Sequence, residues 1–263
     1  MDLQLQHTTA MVAGGSKGLG FAAAKILAEE GANVSLASRN PENLSEAKRK
    51  IEAAARGTVL TVPADLTRSE EIMFWKEETV KSFGRVDFLL VNSGGPPSGS
   101  FASFTDEQWQ EAIDLQLLSA VRLVRAVLPV MQKQKSGSIL FSTSVSVKEP
   151  INNLILSNVI RPAVAALAKS LSLELVKDNI RVNHILPGRI NTDRIRELDA
   201  FNAERKNISP EEQSRQMTAA IPMGRYGEPE EFARAAIFLL SPAASYITGA
   251  SLQVDGGIIK SVL

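Results

Sequence analysis

The stretch AGGSKGLG, residues 13–20, decides the fold. It follows a short apolar run, AMVAG (10–14), and opens a helical pattern, LGFAAAKILAEEG. Gly14 permits a tight turn, Gly18 lets the backbone approach a ligand, and Gly20 lets helix and strand pack closely. Because the N–H groups at a helix start favour a phosphate, this strand–loop–helix context predicts a dinucleotide-binding loop rather than an ordinary glycine turn.

Short apolar runs and longer helical patterns alternate outward from this loop. The predicted strands are residues 10–14, 33–38, 58–64, 86–92, 138–144, 181–187 and 251–256. They are apolar on both faces, as strands buried in a parallel sheet are. The alternation predicts a doubly wound (Rossmann) α/β fold with a parallel sheet, helices on both faces and one domain over 1–263. The strandless segment 189–225 is predicted to be a substrate lid; the alternative is a pair of helices covering the sheet edge.

Composition excludes several classes of protein. The 263 residues are 44% hydrophobic, carry zero formal net charge and include no cysteine. Neutrality argues against a nucleic-acid partner, and the lack of cysteine removes thiol catalysis, disulfides and sulfur-ligated metals. With only His7 and His184 as histidines, no metal site is expected. No signal peptide and no run of about 18 apolar residues occurs, so a cytoplasmic protein without a membrane span is expected.

The end of the second predicted strand, ASRN, indicates which dinucleotide is bound. NAD-specific folds usually place an acid there for the ribose 2′-hydroxyl, whereas this chain has Ser38 and Arg39. Arg39 can pair with a 2′-phosphate, and Lys17 inside the glycine loop adds a second positive charge. The alternative is that both are solvated surface cations. The joint position of the two cations predicts NADP(H) in preference to NAD(H).

Several motifs in order resemble the short-chain dehydrogenase/reductase family. The loop matches TGxxxGxG with Ala13 in place of threonine, ADL (64–66) matches the adenine-contacting segment, and LVNSGG (90–95) stands where the family has LVNNAG. PGRINT (187–192) resembles the PGxxxT turn beside the nicotinamide, and GRYGEPEEFARAAIFLLSPAASYITGASLQVDGG resembles the C-terminal signature.

This resemblance covers essentially the whole chain and implies a fold, an activity and an assembly. The fold is a seven-stranded parallel sheet, and the activity is hydride transfer between NAD(P)H and a small carbonyl or alcohol substrate. The assembly is a dimer or tetramer built on helices here near 105–134 and 153–177. The nearest general likeness is to the 3-oxoacyl-[acyl-carrier-protein] reductase branch. The cofactor contacts that it implies are Gly14, Ser16, Lys17, Gly18, Leu19, Gly20, Arg39, Asp65, Leu66, Asn92, Gly94, Arg161, Pro187, Gly188, Ile190 and Thr192.

The catalytic set implied by the resemblance is changed in this chain. The family uses asparagine, serine, tyrosine and lysine, in which tyrosine transfers the proton and lysine holds the nicotinamide ribose and lowers the tyrosine pKa. The matching positions here are Gln116, Ser144, Ser157 and Arg161. The chain's two tyrosines, Tyr226 and Tyr246, lie in its C-terminal third, and Tyr226 is interpreted as structural.

Three functional hypotheses remain open. The favoured one is an oxidoreductase with a replacement proton donor, either Lys148, a water or a substrate group; the alternative for Lys148 is a solvated loop lysine. The second is an NADP-binding pseudoenzyme that acts as a sensor or scaffold. The third is a non-redox lyase or isomerase on the same fold.

Two further groups of charged or titratable residues have structural interpretations. His184, inside the sixth predicted strand, is expected to be packed rather than catalytic. The three arginines before the segment without strands could form a basic patch for a carrier protein, but are interpreted as helix charges paired with nearby acids. These arginines and acids are Arg189, Arg194, Arg196, Asp193, Glu197 and Asp199.

Overall fold

The structure, a computed structural model, describes residues 2–262 and is built on one parallel sheet. The strands are Thr9–Ala13 (β1), Asn33–Ser38 (β2), Val59–Pro63 (β3), Phe88–Val91 (β4), Gly137–Ser142 (β5), Ile180–Pro187 (β6) and Ser251–Val254 (β7). The seven-stranded order is β3-β2-β1-β4-β5-β6-β7, with every neighbouring pair parallel. The predicted doubly wound fold is confirmed. The order reverses between β1 and β4, where such sheets open a ligand crevice.

Helices cover both faces of the sheet. They are Gly18–Glu29 (α1), Pro41–Glu52 (α2), Ser69–Phe83 (α3), Asp106–Ile113 (α4), Ser119–Gln134 (α5), Ile155–Glu174 (α6), Asp193–Lys206 (α7), Pro210–Ala219 (α8) and Pro229–Leu240 (α9). One core cluster joins α1, α2 and α9 to the sheet and includes the buried Phe232. The other joins α3, α5 and α6 to the opposite face and includes the buried Trp75. The central strands β1 and β4 are buried along their whole length, which explains their continuous apolar sequence.

Local capping chemistry sets several helix ends where the sequence predicts them. Before α4, the Thr105 N–H donates to Gln108 Oε1 at 3.0 Å, and the Gln108 N–H donates to Thr105 Oγ1 at 3.4 Å. This reciprocal pair satisfies backbone donors that the first helical turn leaves free. α3 ends at Gly84, whose φ of 74° is left-handed and therefore suits glycine.

The predicted long helix 105–134 is not one regular helix. Residues Asp114–Leu118 form a π-helical turn between α4 and α5. Gln116 lies in this turn and is 3% exposed. A π turn widens the helix locally and is common near functional sites. The other predicted long helix, 153–177, is α6, which ends at Glu174 and is followed by a 3₁₀ turn over Val176–Asp178.

Segment 189–225 holds α7 and α8. Thr192 caps α7 by accepting a hydrogen bond from the Ile195 N–H at 3.4 Å. The Arg194 guanidinium donates to the Pro96 carbonyl oxygen at 2.7 Å, so the start of α7 is tied to the loop that follows β4. The helical pair therefore borders the crevice at the carboxyl ends of the strands, and its role as a lid stays a prediction.

Candidate active site

A cavity of about 590 Å³ lies where β1, β4, β5 and β6 end. Predicted site residues that line it are Gly14, Ser16, Lys17, Gly18, Leu19, Arg39, Asn92, Gly94, Ser144, Ser157, Arg161, Pro187, Gly188, Ile190 and Thr192. Predicted site residues outside its lining are Gly20, Asp65, Leu66, Gln116 and Lys148. The cavity therefore joins the glycine loop to the part of the chain after β5 that holds the predicted catalytic residues Ser144, Ser157 and Arg161.

The glycine loop is packed too closely for side chains. A Cβ on Gly14 would lie 2.9 Å from Asn92 Nδ2, and one on Gly20 would collide with the Gly14 carbonyl oxygen. Gly14 also has a left-handed φ of 61°. Asn92 Nδ2 donates to the Ala13 carbonyl oxygen at 3.3 Å and so ties β4 to the loop after β1. The backbone thus forms a cradle at the N-terminus of α1 that fits a pyrophosphate.

Cations occupy the glycine-loop side of the cavity. Lys17 and Arg39 both line it, and both are exposed. β2 ends at Ser38 and the next residue is Arg39, so no acid stands where NAD-specific folds usually carry one. This arrangement fits a phosphate on the ribose better than a free hydroxyl.

Asp65 lies beside this cationic edge without lining the cavity. Its Oδ1 accepts hydrogen bonds from the Thr67 N–H at 2.9 Å and the Thr67 hydroxyl at 2.8 Å. Burial raises the pKa of Asp65, but the Thr67 bonds and the nearby Arg39 and Arg68 outweigh burial and leave that pKa below its ordinary value. Asp65 is therefore a fixed, ionised group close to the Arg39 charge.

Ser144 and Ser157 bring two hydroxyl groups to the other side of the cavity. Ser144 Oγ accepts a hydrogen bond from the Ser146 N–H at 3.1 Å, which caps a 3₁₀ turn after β5. Ser157 Oγ, on α6, accepts from Arg161 Nε at 3.0 Å. Since each oxygen already accepts a bond, each hydroxyl proton remains available for donation to a ligand.

Arg161 places a positive charge on the cavity wall. Burial and the nearby charge of Arg194 lower the pKa of Arg161 to about 10. The guanidinium therefore stays protonated at neutral pH and cannot serve as a proton shuttle there.

Gln116 does not line the cavity and lies in the π turn between α4 and α5. Neither its side-chain nitrogen nor its side-chain oxygen has a hydrogen-bond partner in the described residues. A buried amide without partners costs free energy, so this position is a site of local instability.

Lys148 and His184 lie close to the cavity but do not line it. His184 is 2% exposed within β6, as its position in the strand predicts. Its Nε2 shares a hydrogen bond with Thr143 Oγ1, and its Nδ1 shares one with Ser251 Oγ at 3.2 Å. Burial, followed by the charges of Arg161 and Lys148, lowers the pKa of His184 to about 4, so the ring is neutral at pH 7.

Two of the three arginines near α7 pair with acids as predicted. Arg189 bonds the buried Asp199 at 2.6 Å, and Arg196 bonds Asp193 at 2.5 Å. The interpretation of Arg194 as a third paired charge is wrong. Arg194 lines the cavity and donates to the Pro96 carbonyl oxygen, because α7 begins beside the loop after β4.

The two tyrosines lie outside the cavity lining. The Tyr226 hydroxyl donates to Asp199 Oδ2 at 2.6 Å. Burial and this bond raise the pKa of Tyr226 to about 12. Tyr226 therefore ties the turn before α9 to α7, as its interpretation as structural predicts, and Tyr246 is fully exposed.

Sequence reasoning missed Arg194 and Thr143 as cavity residues. Arg194 and Arg196 are two residues apart at the start of one helix, and nothing in their sequence context shows which one faces the cavity. Thr143 could have been found, since it immediately precedes Ser144 at the end of β5.

Two kinds of feature are absent from residues 2–262. No helix there is both long and apolar enough to cross a membrane. That same part of the chain contains no cluster of histidine and acidic side chains suited to a metal ion.

Comparisons with known proteins agree over nearly the full length. The family profile described as enoyl-(acyl carrier protein) reductase matches residues 13–259. Dehydrogenase/reductase SDR family member 4 of Bos taurus is 34% identical over 257 residues, covering 97% of this chain and 88% of the relative. The 3-oxoacyl-[acyl-carrier-protein] reductase FabG of Chlamydia trachomatis is 32% identical over 254 residues, covering 97% and 98% respectively.

Among solved structures, the chain is similar to L-sorbose reductase from Gluconobacter frateurii in complex with NADPH and L-sorbose. The TM-score is 0.94 at 32% sequence identity, and the match covers 100% of both chains. The likeness therefore includes the strand order and the helices that border the cavity.

Proposed function

The chain belongs to the short-chain dehydrogenase/reductase family, and from that premise we propose that it is an NADP(H)-dependent oxidoreductase with an atypical active site. Its substrate is a small molecule with a carbonyl or alcohol group. One observation carries the proposal: a single cavity connects the glycine cradle and Arg39 with Ser144, Ser157 and Arg161. In this cavity, a dinucleotide bound at the glycine cradle would place its nicotinamide beside a carbonyl compound bound at the two serines.

The residues present fit NADP(H). The Gly14 and Gly20 positions leave backbone space that a Cβ would fill, which suits the pyrophosphate. Lys17 and Arg39 would hold the 2′-phosphate, and Arg161 would hold the nicotinamide ribose as the family's lysine does. The NADPH complex of L-sorbose reductase supports the choice of dinucleotide.

The chain's own residues would prepare the carbonyl group for reduction. NADPH, when bound, supplies the hydride. The Ser144 hydroxyl donates a hydrogen bond to the substrate oxygen, and the Ser157 hydroxyl is available as a second donor because Arg161 occupies its acceptor side. Two donors aimed at the oxygen stabilise the negative charge that develops there during reduction. α7 and α8 would exclude water as a lid.

The proton must come from a group other than tyrosine in this mechanism. Ser157 stands at the family's tyrosine position, and a serine hydroxyl is far too weak an acid. Arg161 keeps its proton, and Lys148 lies outside the cavity lining. We propose that a water in the cavity delivers the proton to the alkoxide oxygen, with Lys148 as its source.

The test combines binding and turnover in one cuvette. NADPH and NADH are titrated by nicotinamide fluorescence, and NADPH absorbance is then followed on a broad panel of ketones, β-ketoesters and aldehydes. Tight NADPH binding followed by oxidation on at least one substrate is expected. NADPH binding without oxidation on any substrate would overturn the oxidoreductase, and lack of NADPH binding would overturn the assignment of the cofactor.

The second candidate is an NADP-binding pseudoenzyme. The observation that favours it is that neither tyrosine lines the cavity. Cofactor binding without turnover in the same assay is the result that this candidate predicts.

We also propose a cytoplasmic homo-oligomer, dimer or tetramer, of single-domain subunits. Val159 and Leu173 on α6 are 52% and 70% exposed, which supports an interface on that helix. Light scattering after size-exclusion chromatography tests it. A monomer at micromolar concentration would contradict the proposal, and Leu173→Lys is expected to shift an oligomer towards smaller species.

A further inference from the structure

Two arginines stand together on the substrate side of the cavity. Arg161 is on α6 and Arg194 on α7, and both line the cavity. The charge of Arg194 acts on the Arg161 guanidinium, so the two groups are electrostatic neighbours. Two like charges on one cavity wall repel each other unless an anion lies between them.

No carboxylate of residues 2–262 forms an ion pair with either arginine. The neighbouring arginines differ in this respect, since Arg189 and Arg196 bond Asp199 and Asp193. Arg161 and Arg194 therefore carry charges that no side-chain carboxylate pairs in the described residues.

The two acids in the cavity lining, Asp193 and Glu197, form no ion pair with Arg161 or Arg194. Both acids are exposed on the first turns of α7, as is Arg194, whereas Arg161 is half-buried. Asp193 is bonded to Arg196, and neither carboxylate raises the pKa of Arg161. Arg161 and Arg194 thus keep their positive charge directed at the cavity.

Both guanidinium groups are held in place with donors to spare. Arg161 uses Nε for Ser157, and Arg194 uses one terminal nitrogen for the Pro96 carbonyl oxygen. A guanidinium has five N–H donors, so at least one terminal nitrogen of each remains for a ligand. Planar groups fixed in this way suit the oxygens of a carboxylate or a phosphate.

The residues to which we assign the dinucleotide's phosphates follow β1 and β2, on the other side of the sheet's switch point from Ser144. The glycine cradle follows β1 and Arg39 follows β2, whereas Ser144 follows β5 and lies with Arg161. β4 separates the two groups in the sheet order. We assign the cofactor's pyrophosphate to the glycine cradle, its 2′-phosphate to Lys17 and Arg39, and its nicotinamide ribose to one terminal nitrogen of Arg161. The other terminal nitrogen of Arg161 and the free donors of Arg194 are left for the substrate.

We propose that the substrate of this site carries an anionic group, a carboxylate or a phosphate, which Arg161 and Arg194 bind while Ser144 holds the carbonyl oxygen. The inference rests on the proposed function and narrows its substrate class to anionic oxo compounds. An anionic substrate would distinguish the specificity of this chain from that of enzymes that reduce neutral sugars or acyl thioesters.

Matched substrate pairs test the inference. Sodium 2-oxobutanoate, 3-oxobutanoate and 4-oxopentanoate are compared with their methyl esters, and dihydroxyacetone phosphate with dihydroxyacetone. We expect kcat/KM to be roughly 10- to 100-fold higher for the anion of at least one pair, as for one charge-assisted hydrogen bond. A preference for the oxo acids over their esters would indicate a carboxylate, and a preference for dihydroxyacetone phosphate over dihydroxyacetone would indicate a phosphate. Equal kcat/KM within every pair would overturn the inference.

Variants assign the preference to a residue. Arg194→Gln is expected to lower the anion-to-neutral ratio of kcat/KM at least about tenfold, as the loss of a charge-assisted bond does. Arg196→Gln is the matched control, because Arg196 lies on the same helix, outside the cavity lining and bonded to Asp193. A ratio that Arg194→Gln leaves unchanged would overturn the role of Arg194, whereas an equal fall in both variants would indicate a general charge effect and also contradict it.

A binding measurement separates this inference from the proposed function. Sodium butanoate and butanamide are titrated by calorimetry into the protein saturated with NADP⁺. Binding of butanoate alone supports the arginine pair even if no substrate is turned over. NADPH oxidation on neutral ketones without butanoate binding would leave the oxidoreductase in place and overturn the anion site.

Discussion

Arg161 Nε donates a 3.0 Å hydrogen bond to Ser157 Oγ across one turn of α6. The family resemblance read from the sequence predicts that these two positions correspond to the lysine and the tyrosine of the catalytic set. Four residues along a helix lie on one face, so the spacing that joins lysine to tyrosine also joins this arginine to this serine. Under that prediction, the pair would keep the spacing of the family's site while changing its acid–base chemistry.

Arg161→Met is expected to weaken the binding of NADPH and NADH by the same factor, about 10-fold. The nicotinamide ribose is common to both dinucleotides, and one charge-assisted hydrogen bond to it is lost. Fluorescence titration of both cofactors measures the two dissociation constants. Unchanged affinities would show that Arg161 does not contact the cofactor.

Arg39→Asp is expected to change the cofactor preference itself. The aspartate repels a 2′-phosphate and can accept a hydrogen bond from a 2′-hydroxyl. NADPH affinity should fall about 10- to 100-fold, while NADH affinity stays the same or rises. The ratio of the two dissociation constants is the measurement.

Arg234→Asp serves as the control for this charge reversal. Arg234 is an exposed arginine on α9 and does not line the cavity. It should leave the ratio of NADPH to NADH affinity as it is in the unmutated protein. Equal affinities for the two dinucleotides in the unmutated protein would refute the predicted preference from the start.

The sequence predicted the fold well because its signals are local. The glycine loop, the buried apolar strands and the cap at Thr105 each follow from a few adjacent residues, and each occurs as predicted. The π turn was not predicted, because Asp114–Leu118 has the helical composition of its flanks. The turn also packs against α6, and no local pattern in the sequence reports that contact.

The candidate site could be predicted only in part. Ser144, Ser157 and Arg161 were located by the resemblance to the family's catalytic set, and they do line one cavity. Arg194 was misassigned because its direction depends on how α7 docks against the loop at Pro96, some hundred residues earlier in the chain. Lys148 follows Ser144 closely in sequence, yet the 3₁₀ turn after Ser144 carries it away from the cavity lining.

Ser144→Ala is expected to lower kcat about 100-fold on any substrate that is turned over. The variant removes a donor to the oxygen on which negative charge develops, and the loss of one such donor has an effect of that order. Steady-state kinetics measure it. A kcat within a factor of two of the unmutated value would contradict the role of Ser144.

Ser146→Ala is the matched control for that substitution. Ser146 lies two residues further along the same turn, and its buried hydroxyl has no partner in the described residues. Its removal should leave kcat unchanged and should not lower the melting temperature. A large fall in kcat here would indicate that the turn, rather than the Ser144 hydroxyl, is what matters.

His184 is expected to make folding stability depend on pH. Its pKa is about 4 in the folded protein against an ordinary 6.5, so the unfolded chain binds the additional proton between these values. The stabilisation is complete above about pH 6.5 and is lost as pH falls towards 4, to a total of about 3 kcal/mol. Urea unfolding at pH 7.0, 6.0 and 5.0 measures the slope.

His184→Gln should flatten this slope, although the loss of the bonds to Thr143 and Ser251 lowers stability at every pH. The comparison is therefore made between slopes rather than between absolute values. His7→Gln is the control, because His7 lies in an exposed turn before β1. Identical slopes for the unmutated protein and His184→Gln would mean that the carboxylates alone determine the acid instability.

Gln116→Met is expected to raise the melting temperature by about 2–4 °C. The side chain is 3% exposed and neither end of its amide has a hydrogen-bond partner in the described residues, so methionine, of similar shape, removes an unpaired buried polar group. That gain is of the order of 1 kcal/mol. Differential scanning calorimetry of the cofactor-free protein provides the measurement.

Gln213→Met is the matched control, since Gln213 is equally buried, at 1% exposed, but its Oε1 accepts a 2.9 Å hydrogen bond from Lys206 Nζ. The same substitution there removes a hydrogen bond from a buried amide and should lower the melting temperature, although the exposed Lys206 keeps its bond to Gln216. Changes in melting temperature of opposite sign for the two variants would show that Gln116 destabilises the fold because its amide lacks a hydrogen-bond partner, and not because it is buried. A fall in melting temperature for both variants would mean that the Gln116 amide is hydrogen-bonded in solution and stabilises the π turn.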